Sequence, residues 1–350
     1  MGDSKIRVLI TGAGAPGGPG LIKSLLLCGD VSLVVGDINP MASGRALCDD
    51  FLQLPSASGD DYIPRMLDIC SRNRIEVLIP LVTRELLKLS GNKKRFALGG
   101  TLIAVSEPGA LEIANDKAKL FDHLSAGKID VPAYRRVKNL DTLKQAVKEL
   151  GYPQRDVVIK PAAGNGSRGI RILTENRLEF DAYFQDKPDH MYSNLEEIIR
   201  IFSGHELPEM LVMEYLPGEE WTVDCFIQKG NPVLLLPRRR LRMNAGISVA
   251  GEYKKDETIL AFCKSILKSL ELDGPVGIQV KMDSSGKPGL LEINPRLQGT
   301  SCAAMGLGIN LASFTVKNAM GEDVQSLIPP IQWGKRFVRY YSEAYFDSVS

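Results

Sequence analysis

A chain of 350 residues exceeds what one hydrophobic core usually organises, so two or three packed units are expected. Hydrophobic residues make up 44% and charged residues 24%, and 43 Lys plus Arg nearly cancel 42 Asp plus Glu, which argues against a nucleic-acid partner or an anionic membrane surface. The six cysteines form no C-x-x-C pair, the histidines number only three, and no apolar run approaches a membrane span, so the expectation is a cytoplasmic protein with reduced thiols and no structural zinc.

Residues 6–11, IRVLIT, are an apolar run followed by a helical pattern in GLIKSLLLCGD and a second strand in VSLVVGD. A helix-like DDYIPRMLDICSRNR then leads into a third apolar run, IEVLIPLV. Strands alternating with helices mean β-α-β units and a parallel sheet, so residues 1–112 read as a small doubly wound domain. The loop after the first strand carries G-x-G-x-x-G at Gly12, Gly14 and Gly17, with Asp37 at the end of the next strand, the dinucleotide fingerprint in its expected place. It raises an NAD(P)-dependent oxidoreductase or epimerase as one reading. Pro16 and Pro19 weigh against it, because they remove N–H donors where a pyrophosphate would sit. The Tyr-x-x-x-Lys strings at Tyr134/Lys138 and Tyr183/Lys187 lie in a strand-like segment and just before Pro188.

SEPGALEIANDKAKLFDHLSAG reads as one helix with Ser106 as N-cap and Gly127 as its stop, and a domain boundary is placed near it. Beyond about residue 130 strands joined by turns predict an α+β region with largely antiparallel sheets, and 183–208 reads as a connection or lid.

Four stretches in that region carry chemistry. VVIKPAAGNGSRGI ends a buried strand in Lys160 and opens a loop with Gly166, Ser167, Arg168 and Gly169, where backbone N–H groups and two cations could hold a phosphate. MEYLPGEEWTVD places Glu214 at a strand end and Glu220 at the next strand's start, carboxylates able to accept from a ribose or an adenine amine. PRRRLRMNAG would direct Arg238, Arg240 and Arg242 to one face by the period of two. In LLEINPR the same period puts Leu291 and Ile293 on a core face and Glu292, Asn294 and Arg296 on the other. If Gln279 lies opposite Glu292 across the DSSGK turn, one carboxylate and two amide oxygens suffice for Mg²⁺, which keeps waters and phosphate oxygens in its shell.

The order of Lys117, Lys160 before a glycine loop, Glu214 to Glu220, Gln279 and EINPR resembles the ATP-grasp superfamily, especially the carbamoyl phosphate synthetase large chain and its single-module relatives. The resemblance implies a Rossmann-like pre-ATP-grasp domain (1–112) followed by an ATP-grasp fold of two α+β subdomains, 113–213 with the lid loop and 214–350 with the metal hairpin. It implies that Lys117 and Lys160 hold ATP phosphates under the loop of Gly166, Ser167, Arg168 and Gly169. Glu214, Tyr215 and Leu216 would meet adenine and Glu220 the ribose. Gln279, Glu292 and Asn294 would ligate Mg²⁺, with Mn²⁺ as the alternative ion. Gln279 stands where D-alanine–D-alanine ligases have an acidic ligand, which favours the carbamoyl phosphate synthetase branch. Arg296, Lys160 and Arg240 would serve catalysis near an acyl phosphate. The expected activity is that of a stand-alone ligase joining a small carboxylate to an amine with release of ADP, with a homodimer as the expected assembly. A non-catalytic ATP-binding regulatory protein is the third reading.

Overall fold

The computed structural model describes residues 5–164, 168–175 and 191–347. The chain divides into two compact units: Met1–Ala114, Glu220–Gln279 and Glu292–Ser350 form the first, Asn115–Glu219 and Val280–Leu291 the second.

The first unit opens with a parallel sheet of β1 (Ile6–Ile10), β2 (Val31–Asp37), β3 (Phe51–Gln53), β4 (Val77–Ile79) and β5 (Leu102–Ile103), in the order β3-β2-β1-β4-β5. The crossovers carry α1 (Gly18–Leu26), α2 (Tyr62–Arg72), α3 (Thr83–Ser90) and α4 (Lys93–Leu98). Helices cover both faces, which explains why β1 ends in three consecutive buried apolar residues, Val8, Leu9 and Ile10. Val8 and Ile10 pack with Leu21, Ile22 and Leu25 of α1, whereas Leu9 packs with Met66 of α2 and Leu86 of α3. Strand order reverses between β1 and β4, which places a crevice at their carboxyl ends.

Glu85 of α3 is buried near that crevice, where Thr11 Oγ1 donates to its Oε2 at 2.6 Å. Burial pushes its pKa up from 4.5 to about 7, with Thr11 opposing the shift and Asp37 adding to it. The folded state therefore holds the proton more tightly than the unfolded chain between those two values. Stability falls as pH rises through this window, by about 3 kcal/mol in total, and levels off above it. Melting temperatures between pH 4.5 and 8 should show this slope in the wild type and lose it in Glu85→Gln; parallel slopes would contradict the assignment.

The single helix expected over 106–127 is two. α5 (Pro108–Ala114) ends at the first unit's boundary, and α6 (Lys117–Ala126) starts afresh in the second. Asp116 breaks the run by adopting an extended conformation in which its carboxylate caps the N–H groups of Ala118 and Lys119. Ser106 does not cap; its hydroxyl donates to the Asp273 carbonyl at 2.9 Å and accepts from the Asp273 N–H at 3.0 Å.

In the second unit, β6 (Tyr134–Val137), β7 (Val157–Pro161), β8 (Arg171–Leu173), β9 (Tyr192–Ser193) and β10 (Met210–Glu214) form a sheet ordered β6-β10-β7-β8-β9. It is antiparallel except where β8 meets β9. Leu143, Ala146 and Val147 of α7 (Leu140–Glu149) cover one face, packing with Val157, Ile159 and Val212.

The remaining sheet comprises β11 (Glu220–Gln228), β12 (Asn231–Asn244), β13 (Ile247–Tyr253), β14 (Gly274–Met282), β15 (Pro288–Asn294) and β16 (Arg336–Val338), in the order β15-β14-β11-β12-β13-β16. Phe226, Leu234 and Leu236 from it join Phe314 of the helix Leu311–Ala319 in the same core as Val8 and Ile10. The N-terminal sheet and this sheet thus share one hydrophobic interior. All six cysteines are free, and no helix among the described residues is long and apolar enough to cross a membrane.

Candidate active site

In the second unit, Lys117 is the first residue of α6 and is 7% exposed; its Nζ donates to the Gly164 carbonyl at 2.9 Å. The Asp116 cap and the bond from Lys117 N to Ala162 O at 2.9 Å fix the helix start beside β7. Lys160, 4% exposed on β7, donates from Nζ to Leu291 O at 3.0 Å and lies over the Phe121 ring at 5.5 Å. Both ammonium groups are thus held by short contacts on ordered elements. Gly169 has φ +74°, and a Cβ there would come within 2.8 Å of Pro161, so the turn holding exposed Arg168 folds tightly against β7. Gly166 and Ser167 lie outside the described residues, as do Tyr183 and Lys187 and the 183–190 part of the expected lid.

Glu214 closes β10 with its carboxylate on the Ala133 N–H at 2.8 Å, while its own N–H donates to the Ala133 carbonyl at 2.9 Å. Its side chain therefore ties the end of β10 to the segment that enters β6. Lys281 stands 4.6 Å over the Tyr215 ring, and Leu216 is buried where a Cβ on Gly289 would come within 2.7 Å of it. Gly218 is required where its N–H reaches Met282 O at 2.9 Å, since a Cβ would clash with Met282 at 2.7 Å.

In the first unit, Gln279 Nε2 donates to Glu292 Oε1 at 2.9 Å and Asn294 Nδ2 donates to the same oxygen at 3.0 Å. Carboxylate and amides converge at the β14/β15 pair as alternation predicts. Turning the two amides over would present their oxygens beside the carboxylate, a hard-oxygen set suited to Mg²⁺ with water and phosphate completing the shell. Among the described residues there is no cluster of three or more His, Cys, Asp or Glu side chains able to hold a metal, so a cation here depends on Glu292 and on oxygens from elsewhere.

Two guanidinium groups flank this cluster. Arg296 Nε donates to Thr83 Oγ1 at 3.0 Å, Nη1 to Leu297 O at 2.9 Å, and Nη2 to Asn294 Oδ1 at 3.4 Å. Arg240 donates to Glu220 Oε1, to Gly246 O, to Ser248 Oγ at 3.0 Å and to Gln279 Oε1 at 3.4 Å. Burial lowers the pKa of both, and neighbouring carboxylates oppose it: Glu292 for Arg296, and chiefly Glu220 for Arg240.

The three basic residues expected on one face of β12 do not share one environment. Pairing of β12 with β13 shifts register between Arg240 and Arg242 and again before Met243, so alternation is lost and Arg242 is exposed. Arg238 is a buried core cation, its Nε 3.4 Å from Asp224 Oδ2, with both side chains 1% exposed. Asp224 Oδ1 in turn accepts from Ser301 Oγ at 3.0 Å and Gln298 Nε2 at 3.4 Å. Sequence reasoning assigned no role to Thr83, Ser248 or Asp224, although Asp224 ends the MEYLPGEEWTVD stretch. A position just after β4, at the reversal of strand order, was the available signal for Thr83.

The N-terminal glycine loop is tied to Asp37 by a hydrogen bond within the chain. Asp37 Oδ2 accepts from Gly14 N–H at 2.8 Å and its Oδ1 from Asn39 N–H at 2.8 Å, which engages the oxygens a nucleotide ribose would need. A Cβ on Gly17 would come within 2.7 Å of Gly299, and one on Gly20 within 2.4 Å of Cys302 Sγ. Gly17 of the fingerprint and Gly20 beyond it let the start of α1 approach the 299–302 segment.

Two family models match separate stretches of the chain. Residues 206–338 match the family described as ATP-grasp in the biosynthetic pathway with Ter operon, and residues 9–104 match the PylC-like, N-terminal domain. The carbamoyl phosphate synthase large chain of Clostridium acetobutylicum is 22% identical over 277 residues, 76% of this chain and 24% of that one. The chain spans less than half the length of the curated relatives first matched. Among solved structures, N5-carboxyaminoimidazole synthetase from Staphylococcus aureus complexed with ADP has a TM-score of 0.70 at 15% identity, covering 96% of this chain and 82% of that one. L-amino acid ligase from Bacillus licheniformis has a TM-score of 0.66 at 14% identity, covering 93% and 78%. These structural likenesses establish the fold.

Proposed function

We propose, from the ATP-grasp fold that this chain carries behind a PylC-like N-terminal domain, that it is an ATP-dependent carboxylate–amine ligase. The observation that carries the reading is the carboxylate of Glu292, bonded by Gln279 and Asn294 and flanked by Arg240 and Arg296. Lys117 and Lys160 would hold ATP phosphates, Glu214, Tyr215 and Leu216 the adenine, and Glu220 the ribose. A Mg²⁺ bound at Glu292, Asn294 and Gln279 would neutralise phosphate charge.

A carboxylate oxygen of the substrate attacks the γ-phosphorus, the bond to the β-phosphate oxygen breaks, and ADP leaves an acyl phosphate. The amine nitrogen then attacks the acyl carbon and phosphate departs, giving an amide and a proton. Phosphoryl transfer needs positioning and charge neutralisation rather than a protein nucleophile. Arg296, steadied by Thr83, supplies a fixed cation for the acyl phosphate.

The test is ADP release from MgATP with mixed carboxylates and mixed amines, each alone and together. Release that needs both pools supports the ligase; MgATP binding without stimulated release favours a regulatory ATP-binding protein. A dinucleotide function is disfavoured by the internal bonds of Asp37.

A further inference from the structure

We propose that Arg240 sets how strongly this protein recognises the ribose of a nucleotide, because it competes for the carboxylate of Glu220. The inference rests on the nucleotide reading above and concerns side chains of the first unit alone.

Antiparallel pairing of Trp221 with Arg239 brings the adjacent residues Glu220 and Arg240 side by side on the sheet. Arg240 Nη1 donates to Glu220 Oε1, and the two side chains are only 4% and 18% exposed. Three further acceptors, Ser248 Oγ, Gly246 O and Gln279 Oε1, hold the guanidinium in place. Ser248 is itself 2% exposed on β13, so this anchor is rigid. A ribose diol binds a carboxylate best by donating one hydroxyl to each oxygen. Here one oxygen already accepts from a charged donor in a poorly hydrated setting, where such a bond is strong. The diol therefore gains less from Glu220 than it would from an uncommitted carboxylate. Arg240 also reaches Gln279, so the ion pair ties the ribose carboxylate to the side chain bonded to Glu292.

The experiment is calorimetric titration with ADP and with 2′,3′-dideoxy-ADP, at one fixed Mg²⁺ concentration, on wild type, Arg240→Met, Arg240→Lys and Ser248→Ala. The ratio of dissociation constants, dideoxy-ADP over ADP, isolates the ribose hydroxyls from any change in phosphate affinity. That ratio should rise about tenfold in Arg240→Met, the worth of one hydrogen bond to a charged acceptor. It should rise by a smaller factor in Arg240→Lys and Ser248→Ala, which loosen the contact without creating a large void. An unchanged or lower ratio in all three variants overturns the proposal and makes Arg240 a residue that orients Glu220 for ribose. Should Arg240→Met fail to fold, the ratio in the two milder variants decides in the same way. Wild-type protein that binds neither nucleotide overturns the nucleotide reading itself, a result distinct from an unchanged ratio.

Discussion

Replacing Glu292 by Ala is expected to remove the effect of Mg²⁺ on ADP affinity and to lower turnover of the proposed ligase reaction by about 10²- to 10³-fold, as loss of a key electrostatic contact in an active site does. The reason is local charge. Gln279 and Asn294 both donate to this one carboxylate, while Arg240 and Arg296 lie close enough to feel its charge. Without it a divalent cation would meet two neutral amides and two guanidinium groups, a setting that repels it. Glu292→Gln keeps the volume and the acceptor but loses the charge, so it should behave like the alanine variant. Calorimetric ADP titrations with and without Mg²⁺ check this. A variant that keeps the wild-type Mg²⁺ enhancement would place the metal elsewhere.

The second large effect is on stability. Asp224→Ala should cost about 3–5 kcal/mol, because it strands the guanidinium of Arg238 in an interior where both partners are 1% exposed. Ser301 and Gln298 lose their shared acceptor in the same change. Replacing both charges, as Asp224→Leu with Arg238→Met, should recover most of the loss, since a buried pair exchanged for well-packed apolar groups is often neutral. Denaturant midpoints of the single and double variants provide the measure. A loss below about 1 kcal/mol in Asp224→Ala would mean that water or another anion reaches Arg238.

The contrast between Arg238 and Arg240 shows where sequence reading stops. Period two places both on one face, and the register shifts beyond Arg240 that expose Arg242 leave no signal in the residue pattern. Nor does the pattern tell a core ion pair from a site residue, since that depends on Asp224 arriving from β11. The convergence of Gln279 and Asn294 on Glu292 was legible because a hairpin with a marked turn defines its own register. Thr83 was not, as its contact with Arg296 spans 213 residues and follows from the packing of two sheets in one core. The helix break was signalled only by Asp116, an N-cap residue type set inside an otherwise continuous helical pattern. The parallel N-terminal sheet was plain from its alternating runs, yet Gly17 of the glycine fingerprint packs against Gly299.

The central claim, that a carboxylate is phosphorylated by ATP, has one direct test. The protein is incubated with ATP, Mg²⁺, amines and a pool of ¹⁸O-labelled carboxylates, and the phosphate released is analysed by mass spectrometry. An acyl phosphate that yields to an amine passes one carboxylate oxygen to the departing phosphate, so the account predicts ¹⁸O in phosphate formed together with ADP. Phosphate free of label, or no phosphate beyond that made without the pool, would contradict it.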